Sequence, residues 1–230
     1  LEVYLINIYI EYLFMNKIID RKFCVAPMMG YTTPYARNLY RILSKKALLF
    51  SEMIATKTLI YSKNTQSIIA NEFQNPIALQ VGGSEFNELK LSSKLAYELN
   101  YDEINLNVGC PSKAVQKGSF GACLMQDKVL VRNCLEAMQI NKNIDVSIKC
   151  RIGLGKNFNY EFFEEFIDEI LKSEVKLVYI HARNAILTGI SPKGNRNIPP
   201  LNYDFVSKIK SKYPNITFIL NGGIDSIEKA

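Results

Sequence analysis

The 230-residue chain has a single histidine, no tryptophan, no Cys-x-x-Cys pair and no uninterrupted apolar run of the ~20 residues a bilayer span needs. Each shortage removes a class of function. One histidine, His181, and no paired cysteines leave too few good ligands for a structural zinc site, so no metal is expected. The five cysteines, at 24, 110, 123, 134 and 150, are odd in number and cannot close a complete disulfide framework. That points to a reducing, cytoplasmic setting. Residues 1–14 are apolar and aromatic but carry Glu2 and Glu11, lack a basic n-region and show no small-residue cleavage site, which argues against a secretory signal and a membrane anchor. They are expected to be a non-structural leader, with the domain running from Met15 to Ala230. No long Pro/Gly/Ser linker or internal repeat divides that stretch, and its length suits one core. The net charge of +6 is spread along the chain, and permits a polyanionic partner without requiring one.

What is present is an alternation of short β-rich runs with amphipathic segments, the pattern of repeated βα units around a parallel sheet. Strands are predicted at 23–26, 48–51, 77–81, 103–107, 146–149, 177–181 and 217–221. The clearest helices are at 85–99, 129–140, 160–171 and 203–211. Periodicity alone fits either a doubly wound open sheet or a (β/α)8 TIM barrel. The polar residues that end successive apolar runs, Glu52, Gln80, Asn107, Lys149, His181 and Asn221, favour the barrel, where such ends converge on one pocket. A barrel would want one more strand after Asn221.

Residues 103–112, Glu-Ile-Asn-Leu-Asn-Val-Gly-Cys-Pro-Ser, carry an alternating strand into a turn that fixes Cys110 between a glycine and a proline. A thiol at the C-terminal edge of a strand is a candidate for chemistry, the alternative being a small buried filler. Pro27, Met28 and Met29 follow the first strand in a segment of small and flexible residues that could approach a flat ligand. Gln80 brings an amide that both donates and accepts. Lys149 is an ammonium costly to desolvate unless it faces an anion, and could equally be a Schiff-base or salt-bridged lysine. His181 at a strand end is a candidate ligand contact or a satisfied core histidine. Asn221, Gly222 and Gly223 close the last predicted strand where a phosphate cradle would lie. The irregular stretch 185–200, with Lys193 and Arg196, reads as a functional surface loop.

Six ordered motifs, Ala-Pro-Met-Met at 26–29, Leu-Gln-Val-Gly-Gly at 79–83, Glu-Ile-Asn-Leu-Asn-Val-Gly-Cys-Pro at 103–111, Lys-Cys-Arg-Ile-Gly at 149–153, Ile-His-Ala-Arg at 180–183 and Asn-Gly-Gly-Ile at 221–224, resemble the tRNA-dihydrouridine synthase family. Segments 118–125 and 189–201 resemble its A-type branch, which acts at D-loop positions 20 and 20a. The resemblance implies a TIM barrel holding FMN across its mouth, with NADPH as reductant and a uridine in the D-loop of tRNA as substrate. It carries FMN contacts onto Pro27, Met28, Met29, Gln80, Lys149, His181, Asn221, Gly222 and Gly223, tRNA contacts onto Asn107, Lys193 and Arg196, and the proton-donor role onto Cys110. A thiol that holds its proton can serve as that acid. The family pattern continues beyond Ala230 with a final strand, a Gly-Arg motif and a helical domain, so the chain is expected to be an incomplete barrel, and a monomer. The rival expectations are an inert tRNA-binding fragment and an FMN barrel of the dihydroorotate dehydrogenase type.

Overall fold

A computed structural model describes residues 19–62, 72–156 and 158–229; the leader expected at residues 1–14 lies outside them. Among the described residues all eight strands are parallel: β1 (Cys24–Val25), β2 (Leu48–Phe50), β3 (Ile54–Ala55), β4 (Ile77–Gly82), β5 (Glu103–Val108), β6 (Asp145–Arg151), β7 (Leu177–His181) and β8 (Thr217–Asn221). The order across the sheet is β1-β2-β4-β5-β6-β7-β8, with β3 a two-residue spur on β4. Seven main strands thus follow chain order without the reversal that defines a doubly wound sheet.

Curvature is visible in one side-chain pair. Phe50 on β2 and Tyr179 on β7 stack edge to face with ring centroids 5.1 Å apart. Four strand steps at ~4.8 Å each would put those strands ~19 Å apart in a flat sheet, so the sheet wraps round on itself as a TIM-type barrel wall.

The helices are α1 (Pro34–Leu43), α2 (Thr56–Tyr61), α3 (Phe86–Glu98), α4 (Lys113–Lys117), α5 (Lys128–Met138), α6 (Tyr160–Leu171) and α7 (Tyr203–Lys212). Most begin on a side-chain cap written into the sequence. Thr33 with Pro34 starts α1, Asp127 starts α5, Asn159 starts α6 and Asn202 starts α7, each accepting a backbone N–H three residues on. Outward-facing strand residues such as Leu79, Leu106, Ile148 and Ile180 meet Leu89, Val131, Phe163 and Ile167 of these helices in the main core. Helix α1 inverts the usual pattern. Its buried positions are Arg37 and Arg41, and its exposed ones include Tyr35, Leu39, Ile42 and Leu43. Arg41 is satisfied by the carbonyls of Ser44, Ala47, Gln74 and Pro76, so it ties the entries of β2 and β4 together.

The barrel interior is polar where bulky aliphatic layers are usual. A small apolar layer of Leu48, Phe50, Ala78 and Tyr179 lies there, but β5 and β6 send Glu103, Asn105, Asn107, Ser147, Lys149 and Arg151 inward at every second residue. Glu103 is fully buried. It accepts from Arg21 Nε at 3.0 Å, Ser147 Oγ at 2.5 Å and Tyr179 OH at 3.2 Å, which answers the cost of burying a carboxylate.

Candidate functional site at the C-terminal mouth of the strands

The turn after β5 is held from three sides. Asn107 Oδ1 accepts the backbone N–H groups of Gly109 at 3.2 Å and Cys110 at 3.0 Å. Arg151 Nε donates to Gly109 O at 2.9 Å. Cys110 O accepts from Ala122 N at 2.9 Å, and a Cβ at Gly121 would lie 2.6 Å from that same oxygen at a φ of +81°. This explains the glycine there and why the 118–125 segment folds against the thiol-bearing turn. Cys110 itself is a free, half-buried thiol.

Strand register assembles the rest. Asn107 is opposite Lys149, and Arg151, His181 and Asn221 stand in line across β6, β7 and β8. Lys149 Nζ donates to Asn221 Oδ1 at 2.9 Å. Desolvation and the like charge of Arg151 lower its pKa from 10.5 to about 8. Arg151 is 4% exposed, and burial together with Arg183 and Arg196 lowers its pKa to about 10. The His181 ring is desolvated among Arg151, Lys149, Arg183 and Arg196, which pushes its pKa down to about 2 and keeps it neutral. Among the described residues the main charged neighbours of these three side chains are other cations and thiols, so this part of the mouth is positive, with Glu52 engaged at the β2 edge by Gly30 N. Near it, Arg183 Nε and Asn184 Oδ1 are buried with no partner among the described residues.

The two glycines after β8 are dictated by close approach. Gly222 has φ +104°, and a Cβ there would fall 2.4 Å from His181 Cδ2; at Gly223, φ +72°, it would meet Leu201 Cδ1 at 2.4 Å. The loop after β1 presents Met28 and Met29 outward, 41% and 68% exposed, beside half-buried Pro27. Gly30 N donates to Glu52 Oε1 at 2.6 Å, which ties this loop to the end of β2. Loop 185–200 is ordered around fully buried Asn195, whose amide bonds both polar backbone atoms of Ile186 and whose carbonyl accepts from Arg151 Nη1 at 2.9 Å. Lys193 and Arg196 are exposed on this loop. A cleft of about 530 Å³ opens between Pro111 and Lys113 on one side and Leu187 to Pro192 on the other.

The structure therefore brings Cys110, Lys149, His181, Asn221 and Gly222 to one mouth. It gives two of the sequence-predicted residues a different setting. Gln80 is 1% exposed and Asn107 8% exposed, and their side chains are bonded to each other and to the turn rather than open to the mouth. Arg151 and Asn195, assigned no role from sequence, turn out to connect the thiol turn to the basic loop. Alternation in Lys149-Cys150-Arg151 could have found the first, since it puts both cations on one strand face. FMN fits this donor set: Lys149 is a half-buried cation with no carboxylate bonded to it among the described residues, neutral His181 offers a ring N–H, and flexible Met28 and Met29 can lie along a flat apolar ring.

Residues 24–230 match the family model described as dihydrouridine synthase. A "tRNA-dihydrouridine(20/20a) synthase" of Shewanella oneidensis is 45% identical over 215 residues, covering 94% of this chain and 64% of the relative. The protein of that same name from Escherichia coli K12 is 46% identical over 210 residues, covering 91% and 61%. The chain thus spans less than two thirds of the length of these relatives. Among solved structures, the old yellow enzyme homologue of Zymomonas mobilis superposes with a TM-score of 0.58 at 10% identity, covering 90% of this chain and 80% of that one. Morphinone reductase in complex with tetrahydroNAD does so at 0.57 and 10%, covering 92% and 79%. At such identities these two likenesses speak for the fold alone.

Proposed function

This chain belongs to the dihydrouridine synthase family, and on that premise we propose that it reduces the C5–C6 bond of D-loop uridines of tRNA in the cytoplasm, with Cys110 as the proton donor. The observation that carries the reading is the Cys110 turn, fixed by Asn107 and Arg151 at the edge of a mouth rich in cations. Bound FMN, reduced by NADPH, supplies the hydride that C6 of the uracil receives. The chain's own residues do the rest. The Cys110 thiol gives its proton to C5. Lys149 places positive charge against the flavin, with Asn221 orienting the amine. Neutral His181 would donate a hydrogen bond without adding charge, and Gly222 and Gly223 would let backbone approach the bound cofactor closely. Pro27, Met28 and Met29 would help to hold the ring from the loop after β1, and Gln80 would support the site through its bond to Asn107. Lys193 and Arg196, exposed beside the 530 Å³ cleft, meet the tRNA backbone, and Asn107 holds the turn that faces the base. The uridine has to leave its stack to reach a site at this depth.

Cys110→Ala tests the assignment. It should keep flavin and its reduction by NADPH while lowering dihydrouridine formation by about 10²–10⁴-fold, the usual worth of a general acid. Near-normal product formation would remove Cys110 from the reaction.

A further inference from the structure

A continuous line of side-chain hydrogen bonds descends the barrel interior from the Cys110 turn to its floor. Asn107 Nδ2 donates to Gln80 Oε1 at 2.9 Å, Gln80 Nε2 to Asn105 Oδ1 at 2.8 Å, Asn105 Nδ2 to Ser147 Oγ at 2.7 Å, and Ser147 Oγ to Glu103 Oε1 at 2.5 Å. Gln80, Asn105, Ser147 and Glu103 are each at most 1% exposed, so bulk solvent does not reach the line.

Both ends of the line fix its direction. At the top, the N–H groups of Gly109 and Cys110 can only donate, which requires the oxygen of Asn107 to face them. Its NH2 must then face Gln80, and the same choice is forced at Gln80, Asn105 and Ser147 in turn. At the floor, Arg21 also can only donate, at 3.0 Å to Glu103 Oε2. A line with donors entering from both ends needs one member that accepts on every side. Among these side chains only a carboxyl group, with one oxygen turned to each end, does so, and Glu103 is that member, burial raising its pKa and Arg21 opposing that rise. An amide at 103 would leave one donor facing another or reverse the line, which turns an NH2 toward the Cys110 turn.

We propose that Glu103 is a positioning residue for the Cys110 turn, acting through Ser147, Asn105, Gln80 and Asn107. Aligned amides reinforce one another in a low dielectric, and the carboxylate at the floor sets which atom Asn107 presents at the mouth. The inference rests on the proposed reaction for its kinetic readout. Removing Glu103 itself would strand Arg21 in the interior and endanger folding, so Ser147→Ala is the variant of choice. It cuts the line yet leaves the Arg21–Glu103 pair in place.

The test uses the flavin-loaded chain and unmodified tRNA, with reduction of flavin by NADPH and its reoxidation by tRNA followed separately. Ser147→Ala should slow reoxidation about 10-fold or more, because small displacements of a catalytic group are costly, with flavin content, the reductive step and KM for tRNA unchanged. The double variant Ser147→Ala/Asn107→Ala should be no slower than Asn107→Ala alone, since both cut one line. A wild-type reoxidation rate in Ser147→Ala, or penalties that multiply in the double variant, would overturn the inference. Should wild-type protein reduce no tRNA, the reaction is wrong instead, and the line is judged by the rate at which iodoacetamide alkylates Cys110: a changed rate in Ser147→Ala supports it and an unchanged rate overturns it.

Discussion

Replacing Lys149 by methionine should stabilise the flavin-free protein and weaken its hold on flavin. Lys149 is desolvated beside Arg151, with its amine bonded to Asn221 Oδ1, and its pKa falls from 10.5 to about 8. The gap between those values corresponds to about 3 kcal/mol set against the folded state when the amine is charged in both states. Methionine removes the charge at similar length. Losing the bond to Asn221 costs about 1 kcal/mol, which leaves a net gain of about 2 kcal/mol at pH 7, or ~4–8 °C in Tm for a domain of this size. The sign with pH follows from proton counting. Between about 8 and 10.5 the unfolded lysine is protonated and the folded one is not, so wild-type stability rises with pH across that window, and by pH 10 the penalty is below about 1 kcal/mol. Urea unfolding of flavin-free wild type and Lys149→Met at pH 7 and pH 10 measures this directly. The variant should be the more stable at pH 7 and nearly equal at pH 10. A variant less stable at pH 7, or a difference that does not change with pH, would refute the desolvation argument, and unchanged FMN affinity would show that the amine is not the counter-charge of the flavin.

Two other changes probe the same mouth. His181→Asn should flatten the acid side of the stability profile: the unfolded histidine takes up a proton below 6.5 while the folded ring resists until about 2, so wild type loses about 1.4 kcal/mol per pH unit from this group as pH falls through that window, and parallel slopes for the two proteins would contradict it. Gly222→Ala should lower Tm and flavin content together, since its Cβ would press on His181 Cδ2 from 2.4 Å at a φ of +104° and a strained non-glycine residue there costs about 1–3 kcal/mol; a fully loaded variant with wild-type Tm would show that the turn relaxes freely.

Much of this molecule was legible in the sequence because period and caps agree. Each of the seven predicted strands overlaps an observed main strand, and the predicted helix at 129–140 is Lys128–Met138, shifted by the cap that Asp127 supplies. Helix α1 escaped for a physical reason. Its buried face holds Arg37 and Arg41, which bond carbonyls and the Gln74 amide outside the helix, with Arg37 Nη2 left without a partner among the described residues, and no hydropathy period reports a partner that only folding supplies. Helix α4, five residues long, offers too short a stretch for any period to register. The strand-end polar residues were visible one by one. What sequence could not show is that Glu103, Asn105 and Ser147, one and two pleats lower, continue inward as a bonded line, because alternation marks a face as polar without saying whether that face meets water or a barrel interior.

The placement of charge along the barrel axis ties these parts together. The fully buried carboxylate, Glu103, sits at the floor and is engaged by Arg21, Tyr179 and Ser147. The mouth carries Lys149, Arg151, Arg183 and Arg196 around His181. Had the acid stood one or two pleats higher on β5, at Asn105 or Asn107, it would have relieved the desolvated Lys149 and stabilised the empty protein, but it would also have cancelled the positive site. Carbonyl-type oxygens do the intermediate work instead: Asn221 orients the amine and Asn107 orients the turn, each accepting hydrogen bonds without bringing a negative charge. Desolvation and the like charge of Arg151 depress the Lys149 pKa, and an anion bound at the mouth, such as the reduced flavin proposed above, would raise it again.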